Sequence, residues 1–127
     1  LTRQQIGQEG EDQAERYLEG LGCVILERNW HCRYGEIDRI ARDGQELVFV
    51  EVKVRRSGAF GSPEDALASP KAKRLIRAAW SYLEERGQEE ADWRIDVVAI
   101  QRGAGGSIAR IDHYRNAIPD EARHDPA

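Results

Sequence analysis

The segment Leu47-Val48-Phe49-Val50-Glu51-Val52-Lys53-Val54 restricts the fold more than any other part of the chain. Its first half is apolar at every position, which marks a central strand with helices above and below it rather than a strand with one wet face. Strand side chains alternate, so Val48, Val50, Val52 and Val54 share one face while Phe49, Glu51, Lys53 and Arg55 share the other. Glu51 and Lys53 are then neighbours, about 6.6 Å apart along the strand. If that end of the strand is wet, they form a weak surface pair. If it is covered, both charges are costly unless something pairs with them.

The rest of the chain supplies the covering elements. From Gln4 to Leu21, apolar residues recur with a helical period at Ile6, Ala14, Tyr17, Leu18 and Leu21, and Gly22 supplies the stop. Residues 23–30, 35–41 and 46–55 read as strands, the last two joined by a hairpin turn at Asp43-Gly44, which predicts an antiparallel meander. A glycine-rich connection over 57–61 leads to Ser62-Pro63-Glu64-Asp65, a helix-start pattern repeated by Ser69-Pro70. The main second helix is expected over about 70–86, burying Leu75, Ile76, Ala79 and Leu83. Strands over 93–101 and 107–114 follow, joined by Gly103-Ala104-Gly105-Gly106. The expectation is a single α/β domain over 1–118, three layers deep around a mixed five-stranded sheet, with a polar tail over 119–127 that frays. A chain of 127 residues is long enough for one such core.

Charge is unevenly spread. The net charge is −4, yet residues 50–80 hold seven lysines and arginines against three acids, which suits a localised polyanion site better than bulk coating of nucleic acid. Lys71, Lys73, Arg74 and Arg77 stand in the first two turns of the second helix, where the macrodipole favours acids. A local rule broken this way is expected at a functional surface, although a solvated helix face gives the same pattern. With Arg55 and Arg56 they form the candidate nucleic-acid contacts. Trp30, His31 and Tyr34, close in sequence to Arg28 and Arg33, are either core residues or a stacking surface for an unpaired base. No apolar run approaches the ~18 residues of a membrane span and no signal peptide heads the chain, so a cytoplasmic location is expected. Cys23 and Cys32 are expected as reduced thiols, and with His31 and His113 they lack zinc-site spacing. No phosphate-binding glycine loop with its lysine is present.

The second strand brings Glu36 and Asp38 toward the charged strand. If the hairpin register aligns them, Asp38 stands across from Glu51 and Lys53, and a divalent cation neutralises such a cluster where one lysine cannot. Glu36 reads either as an acid behind the site or as a strand-edge ion-pair partner, and Asp96, among apolar neighbours, as structural. At about 100° per residue, Glu11 lies at the edge of the buried face of the first helix, facing either solvent or the sheet. Mg²⁺ accepts oxygen ligands, keeps several waters and binds phosphate, so two carboxylates can hold it. The cation then polarises a phosphodiester and acidifies a water, and a nearby ammonium orients that water or offsets charge.

Asp38, twelve residues, then Glu51-Val52-Lys53 resembles the Asp…Glu-x-Lys signature of the PD-(D/E)xK nuclease superfamily. Gly10-Glu11, Arg28-Asn29-Trp30, Gly35-Glu36-Ile37-Asp38, Phe49-Val50-Glu51-Val52-Lys53, Arg55, Phe60-Gly61, Lys71 and Arg94-Ile95-Asp96-Val97-Val98 extend the likeness. Together they resemble the YraN-like uncharacterised bacterial family over roughly residues 5–118. That resemblance implies a restriction-endonuclease-like or tRNA-endonuclease-like fold close to archaeal Holliday junction resolvases. It implies Asp38 and Glu51 as metal ligands, the Val52 carbonyl as a backbone ligand, Lys53 as the catalytic lysine and Glu11 as the helix-one acid. Ile37 stands where the superfamily name has Pro.

The function expected is therefore metal-dependent hydrolysis of DNA phosphodiesters, in branched or flapped structures, with Mg²⁺ as cofactor and Mn²⁺ able to replace it. DNA is the expected partner, no membrane is involved, and a homodimer is compatible with the sequence. The alternative is a catalytically silent nucleic-acid-binding module on the same fold.

Overall fold

A computed structural model describes residues 1–56, 70–103, 105 and 107–123, apart from the side chains of Arg56 and Asp120. The elements are α1 (Arg3–Gly20), β1 (Val24–Cys32), β2 (Gly35–Asp43), β3 (Glu46–Arg56), α2 (Pro70–Glu85), β4 (Trp93–Arg102), β5 (Ile108–Tyr114) and α3 (Asp120–Arg123). The expected 57–61 connection and the helix start at 62–65 lie outside the described residues. Helix α1 begins at Arg3, one residue before the expected Gln4, because Thr2 accepts from the Gln5 backbone N–H and the Gln5 side chain closes the capping box.

The sheet has five strands in the order β1-β2-β3-β4-β5. Neighbours are antiparallel except β3 and β4, which run parallel from Leu47↔Trp93 to Arg56↔Arg102. The parallel step follows from the crossover through α2, since only a long connection returns a strand in the same direction. This is the α/β architecture expected, with a mixed five-stranded sheet.

Each face of β3 builds one core layer. Val48 and Val50 pack with Val98 and Ile100 of β4 against Ala14 and Leu18 of α1. Phe49 packs with Ile95 and Val97 against Leu75, Ile76, Ala79, Tyr82 and Leu83 of α2. Tyr82 and Trp93 stand edge-on to the Phe49 ring at 5.7 and 5.5 Å. Near its N-terminal end α1 lies so close to β3 that a Cβ on Gly10 would fall 2.2 Å from Val54 Cγ2.

Among the described residues, buried guanidiniums tie elements together. Arg94 reaches Asp96 at 3.0 Å, Glu46 at 2.6 Å and Asp43 at 3.0 Å, tying the β2–β3 turn to β4. Asp96 also accepts from the Asn116 N–H and faces His113 Nε2 at 2.8 Å. Its carboxyl is held below its ordinary range: burial pushes the other way, but His113, Arg94 and the Asn116 N–H stabilise the anion. Asp96 is therefore structural, as its apolar surroundings predict. Arg39 is another such guanidinium, described with the site. Cys23 and Cys32 are free thiols.

The tail differs from expectation. Fraying was expected from Pro119, but Asp120–Arg123 forms α3 and Arg123 is buried. Its guanidinium lies 4.7 Å over the Trp93 ring and Nη1 donates to the Trp93 carbonyl, while Trp80 Nε1 donates to the Arg123 carbonyl at 2.7 Å. The polar composition hid an arginine whose planar head stacks on an aromatic ring. No helix among the described residues is long and apolar enough to cross a membrane.

Candidate functional site

The site begins where β2 and β3 part. Their pairing runs from Asp43↔Glu46 to Arg39↔Val50, and the next pair in that register would be Asp38 with Glu51. There the backbone ladder gives way, and the Val52 N–H donates to Asp38 Oδ2 at 2.8 Å. Strand β3 continues along β4 to Arg56, so the two strands diverge. β2 loses its alternation at the same point: Ile40 and Ile37 both reach the α2 core although Arg39 and Ala41 face α1. On β1 the residue flanked by the pairs Arg28↔Arg39 and Trp30↔Ile37 is Asn29, with a left-handed φ of 48°. That conformation is uncommon outside glycine, but asparagine tolerates it.

The divergence opens a cavity of about 330 Å³ between the sheet and α2, lined by Asp38, Glu51, Val52 and Lys53 together with Tyr34, Glu36, Lys71 and Arg74. Glu51 is only 7% exposed. Its Oε2 accepts from Lys71 Nζ at 2.6 Å and faces Lys53 Nζ at 3.5 Å. Glu51 is thus covered, while Val52 to Arg55 beyond it stay partly exposed.

The electrostatics follow from burial. Asp38 is pushed up to about 8 by desolvation, by the Glu51 charge and by its hydrogen bond with Glu51; the Val52 N–H opposes this and the Glu11 charge adds to it. Glu51 would itself be raised by burial, but the hydrogen bond with Asp38 and the two lysines hold it below the ordinary carboxylate range. Burial and mutual repulsion thus drive the two carboxyls apart, Asp38 upward and Glu51 downward, and the coupled pair resists giving up its last proton. Lys53 is lowered by burial and by the adjacent Lys71, while Lys71 is raised in spite of burial by its bonds to Glu51 and Lys53. Of the two ammoniums, Lys53 holds its proton less firmly.

A divalent cation fits this donor set, because it can replace the shared proton and let both carboxylates ionise. The N–H and C=O of one strand residue point to the same neighbouring strand, so the Val52 carbonyl faces the gap that holds Asp38. Among the described residues no group of three or more His, Cys, Asp or Glu side chains is arranged to hold a metal. A cation here would have two carboxylates and a carbonyl for ligands, with water for the remaining positions.

The other expected residues are placed unequally. Glu11 is on the α1 side of the sheet, where its Oε1 accepts from Arg39 Nη1 at 3.0 Å and from Asn29 Nδ2 at 2.7 Å. It does not line the cavity, although its charge is felt by Asp38. Glu36 lines the cavity, and its Oε1 lies 3.1 Å from His31 Nε2, so it has the position of an acid behind the site and also a partner at the strand end. Arg55 lines a separate cavity with Arg3 and Arg102, and the Arg56 side chain lies outside the description. Arg74 and Arg77 face the cavity and its neighbour, whereas Lys73 is exposed and lines neither.

Two contributors differ from the sequence reading, Lys71 in its role and Arg39 in not being singled out at all. Lys71, expected as a surface phosphate contact, is bonded to Glu51. Arg39, 1% exposed, is held by Glu11, Asp12 and Glu15 and donates from Nη1 to the Asp38 carbonyl at 2.8 Å. The signal for Arg39 was the acid set Glu11, Asp12 and Glu15 itself: three carboxylates near one face of α1 need a cation opposite them.

The profile of the Uncharacterised protein family UPF0102 matches residues 10–100. A UPF0102 protein from Pelotomaculum thermopropionicum is 42% identical over 92% of this chain and 98% of its own. One from Beutenbergia cavernae is 49% identical over 87% and 92%, and one from Geobacter metallireducens is 44% identical over 93% and 95%. Among solved structures, Pyrococcus furiosus SfsA in complex with Ca²⁺ aligns with a TM-score of 0.38 and 15% identity, over 88% of this chain and 63% of that one.

Proposed function

The chain belongs to the UPF0102 family, and from the cavity between its second and third strands we propose that it is a metal-dependent endonuclease hydrolysing phosphodiester bonds of DNA, in branched or flapped structures. One observation carries the reading: the Asp38 and Glu51 carboxyls line one cavity, Glu51 only 7% exposed, with ammonium groups 2.6 and 3.5 Å from Glu51. Such a cluster is strained without a cation and suited to a polyanion with one. The order Asp38, Glu51, Lys53 is also that of the PD-(D/E)xK nucleases that the sequence resembles.

Asp38, Glu51 and the Val52 carbonyl would hold Mg²⁺ or Mn²⁺, which supplies Lewis acidity at the phosphoryl group. Lys53 is placed to hydrogen-bond the attacking water and to offset negative charge as the phosphoryl oxygens gain it. Lys71 and Arg74, at the α2 wall, hold flanking phosphates. The water oxygen would form the new bond to phosphorus as the bond to the leaving sugar oxygen breaks, with one proton of the attacking water released to solvent water and the leaving oxygen protonated from solvent water. Arg39 acts at one remove by holding the Asp38 backbone, and Glu11 acts through Arg39.

The test is a cleavage panel of linear, nicked, flapped, single-stranded and four-way DNA with Mg²⁺, Mn²⁺ or EDTA. Metal-dependent cleavage of at least one substrate is expected, abolished in Lys53→Ala while DNA affinity stays within about threefold, since binding rests on the other cations. Binding without cleavage under every condition would leave the catalytically silent module as the better reading. The 2.6 Å Lys71–Glu51 pair favours that second reading, because it neutralises one carboxylate without any metal.

A further inference from the structure

A second, smaller cavity of about 210 Å³ adjoins the first along α2 and is lined by Arg33, Tyr34, Arg77, Trp80, Ser81 and Glu84. Tyr34 belongs to both walls. It stands in the turn between β1 and β2, half-buried, with its body against the α2 core. Two guanidinium carbons lie over its ring, Arg33 at 4.8 Å and Arg77 at 6.0 Å from the centroid, and Arg33 Nη2 donates to its hydroxyl at 2.5 Å. Trp80 is fixed as the floor, its Nε1 donating to the Arg123 carbonyl and its ring edge-on to Trp93.

We propose that this groove seats one unpaired base of the DNA strand whose phosphate enters the Asp38–Glu51 cavity, so that the substrate is single-stranded or carries an unpaired nucleotide beside the scissile bond. The inference rests on the phosphodiesterase reading for what happens in the first cavity, but not for what binds in the second. Lys71, Arg74 and Arg77 follow one another at three-residue intervals, a run of about 9 Å along the helix. Lys71 and Arg74 line the first cavity and Arg77 the second. Cations in a line from the acid pair to the tyrosine suit neighbouring phosphates of one strand.

The tyrosine decides which kind of strand. A base inside a duplex shows the protein only its edge in a groove, because stacked neighbours cover its faces. Aromatic rings and guanidinium planes are the groups on which splayed, unpaired bases stack. Arg33 is exposed but bonded to the Tyr34 hydroxyl, so a base reaching the ring either displaces this exposed contact or stacks on the guanidinium as the next layer. Glu84 also lines this cavity, and its carboxylate disfavours a phosphate beside it, which suits a site for a base more than for backbone. An acidic peptide would satisfy the arginines but would leave the tyrosine face without a stacking partner.

The experiment measures binding by the full chain in EDTA, by fluorescence anisotropy, to a short single strand, a blunt duplex and the same duplex with a single-stranded flap. A fluorescent base analogue in the strand reports stacking. Wild type is expected to prefer the single strand and the flap over the blunt duplex. Tyr34→Leu keeps the apolar contact to the core but has no ring, and should lose roughly 5- to 100-fold for those two ligands with little change for the duplex. Tyr34→Phe should bind as wild type and quench the analogue equally. No preference in wild type, no binding at all, or an equal loss for all three ligands in Tyr34→Leu overturns the proposal. Failure of the two readings is distinguishable: an inactive protein with Tyr34-dependent strand binding removes only the hydrolysis, and cleavage of blunt duplex indifferent to Tyr34 removes only the groove.

Discussion

Replacing Asp38 with asparagine separates a strained metal site from a structural ion pair. The amide has the shape of the protonated carboxyl: its oxygen can accept from the Val52 N–H as Asp38 Oδ2 does, and its NH₂ can donate to Glu51 where the shared proton now lies. Below pH 4 the wild type carries that proton in both states, and the two proteins should be similar in stability. The folded pKa of Asp38 is raised from 3.8 to about 8, so its native state binds the extra proton across that window and the wild type loses stability as pH rises through it. At about 1.4 kcal/mol per pH unit the upper bound is roughly 6 kcal/mol. Water at the open cavity and relaxation of the coupled pair reduce this, and about 2–3 kcal/mol at pH 9 is expected, or roughly 5–12 °C in melting temperature for a domain of this size. Thermal melts from pH 4 to 9 in EDTA should therefore show Asp38→Asn level with wild type at acid pH and above it at alkaline pH. Added Mn²⁺ at pH 8 should raise the wild type and hardly move the variant, since a ligand stabilises only the state that binds it. A variant less stable than wild type across the whole range, with no Mn²⁺ effect on either protein, would mean that Asp38, Glu51 and the lysines are a structural network.

Three further outcomes follow from the same geometry. Lys71→Met removes the ammonium that sits 2.6 Å from Glu51; the metal-free protein should melt lower and the Mn²⁺ increment should grow, and an unchanged increment would show that Lys71 does not compete with the cation. Arg74→Ala with Arg77→Ala should shrink the slope of log affinity against log salt by roughly 1.5–2, while Lys73→Ala, outside both cavities, should change it by less than about 0.5. Gly10→Ala brings a methyl within 2.2 Å of Val54 Cγ2 and should destabilise by about 1–3 kcal/mol in urea melts despite the better helix propensity of alanine. Adding Val54→Ala should recover at least about 1 kcal/mol of that loss, and independent effects of the two changes would refute the close approach.

Much of this molecule follows from periodicity. The doubly apolar Leu47–Val50 run made β3 central, the alternation after it put Glu51 and Lys53 on one face, and the Asp43-Gly44 turn set a register that brings Asp38 opposite Glu51. These are local consequences of a strand repeat of two and of a short hairpin, so sequence alone carries them. Periodicity could not show that β2 and β3 separate at that pair. The separation depends on a side chain replacing a backbone acceptor, and on Asn29 and Arg39 holding the strands on either side. Nor could it put Glu11 on Arg39 rather than in the cavity, because the helical position of an acid does not reveal which buried cation lies across from it. Lys71 and Arg123 had the composition of surface residues and became partly or wholly buried when α2 and α3 docked. Charges of that kind are placed by contacts between elements remote in sequence, and only the assembled layers determine whether they meet solvent, a carboxylate or an aromatic ring.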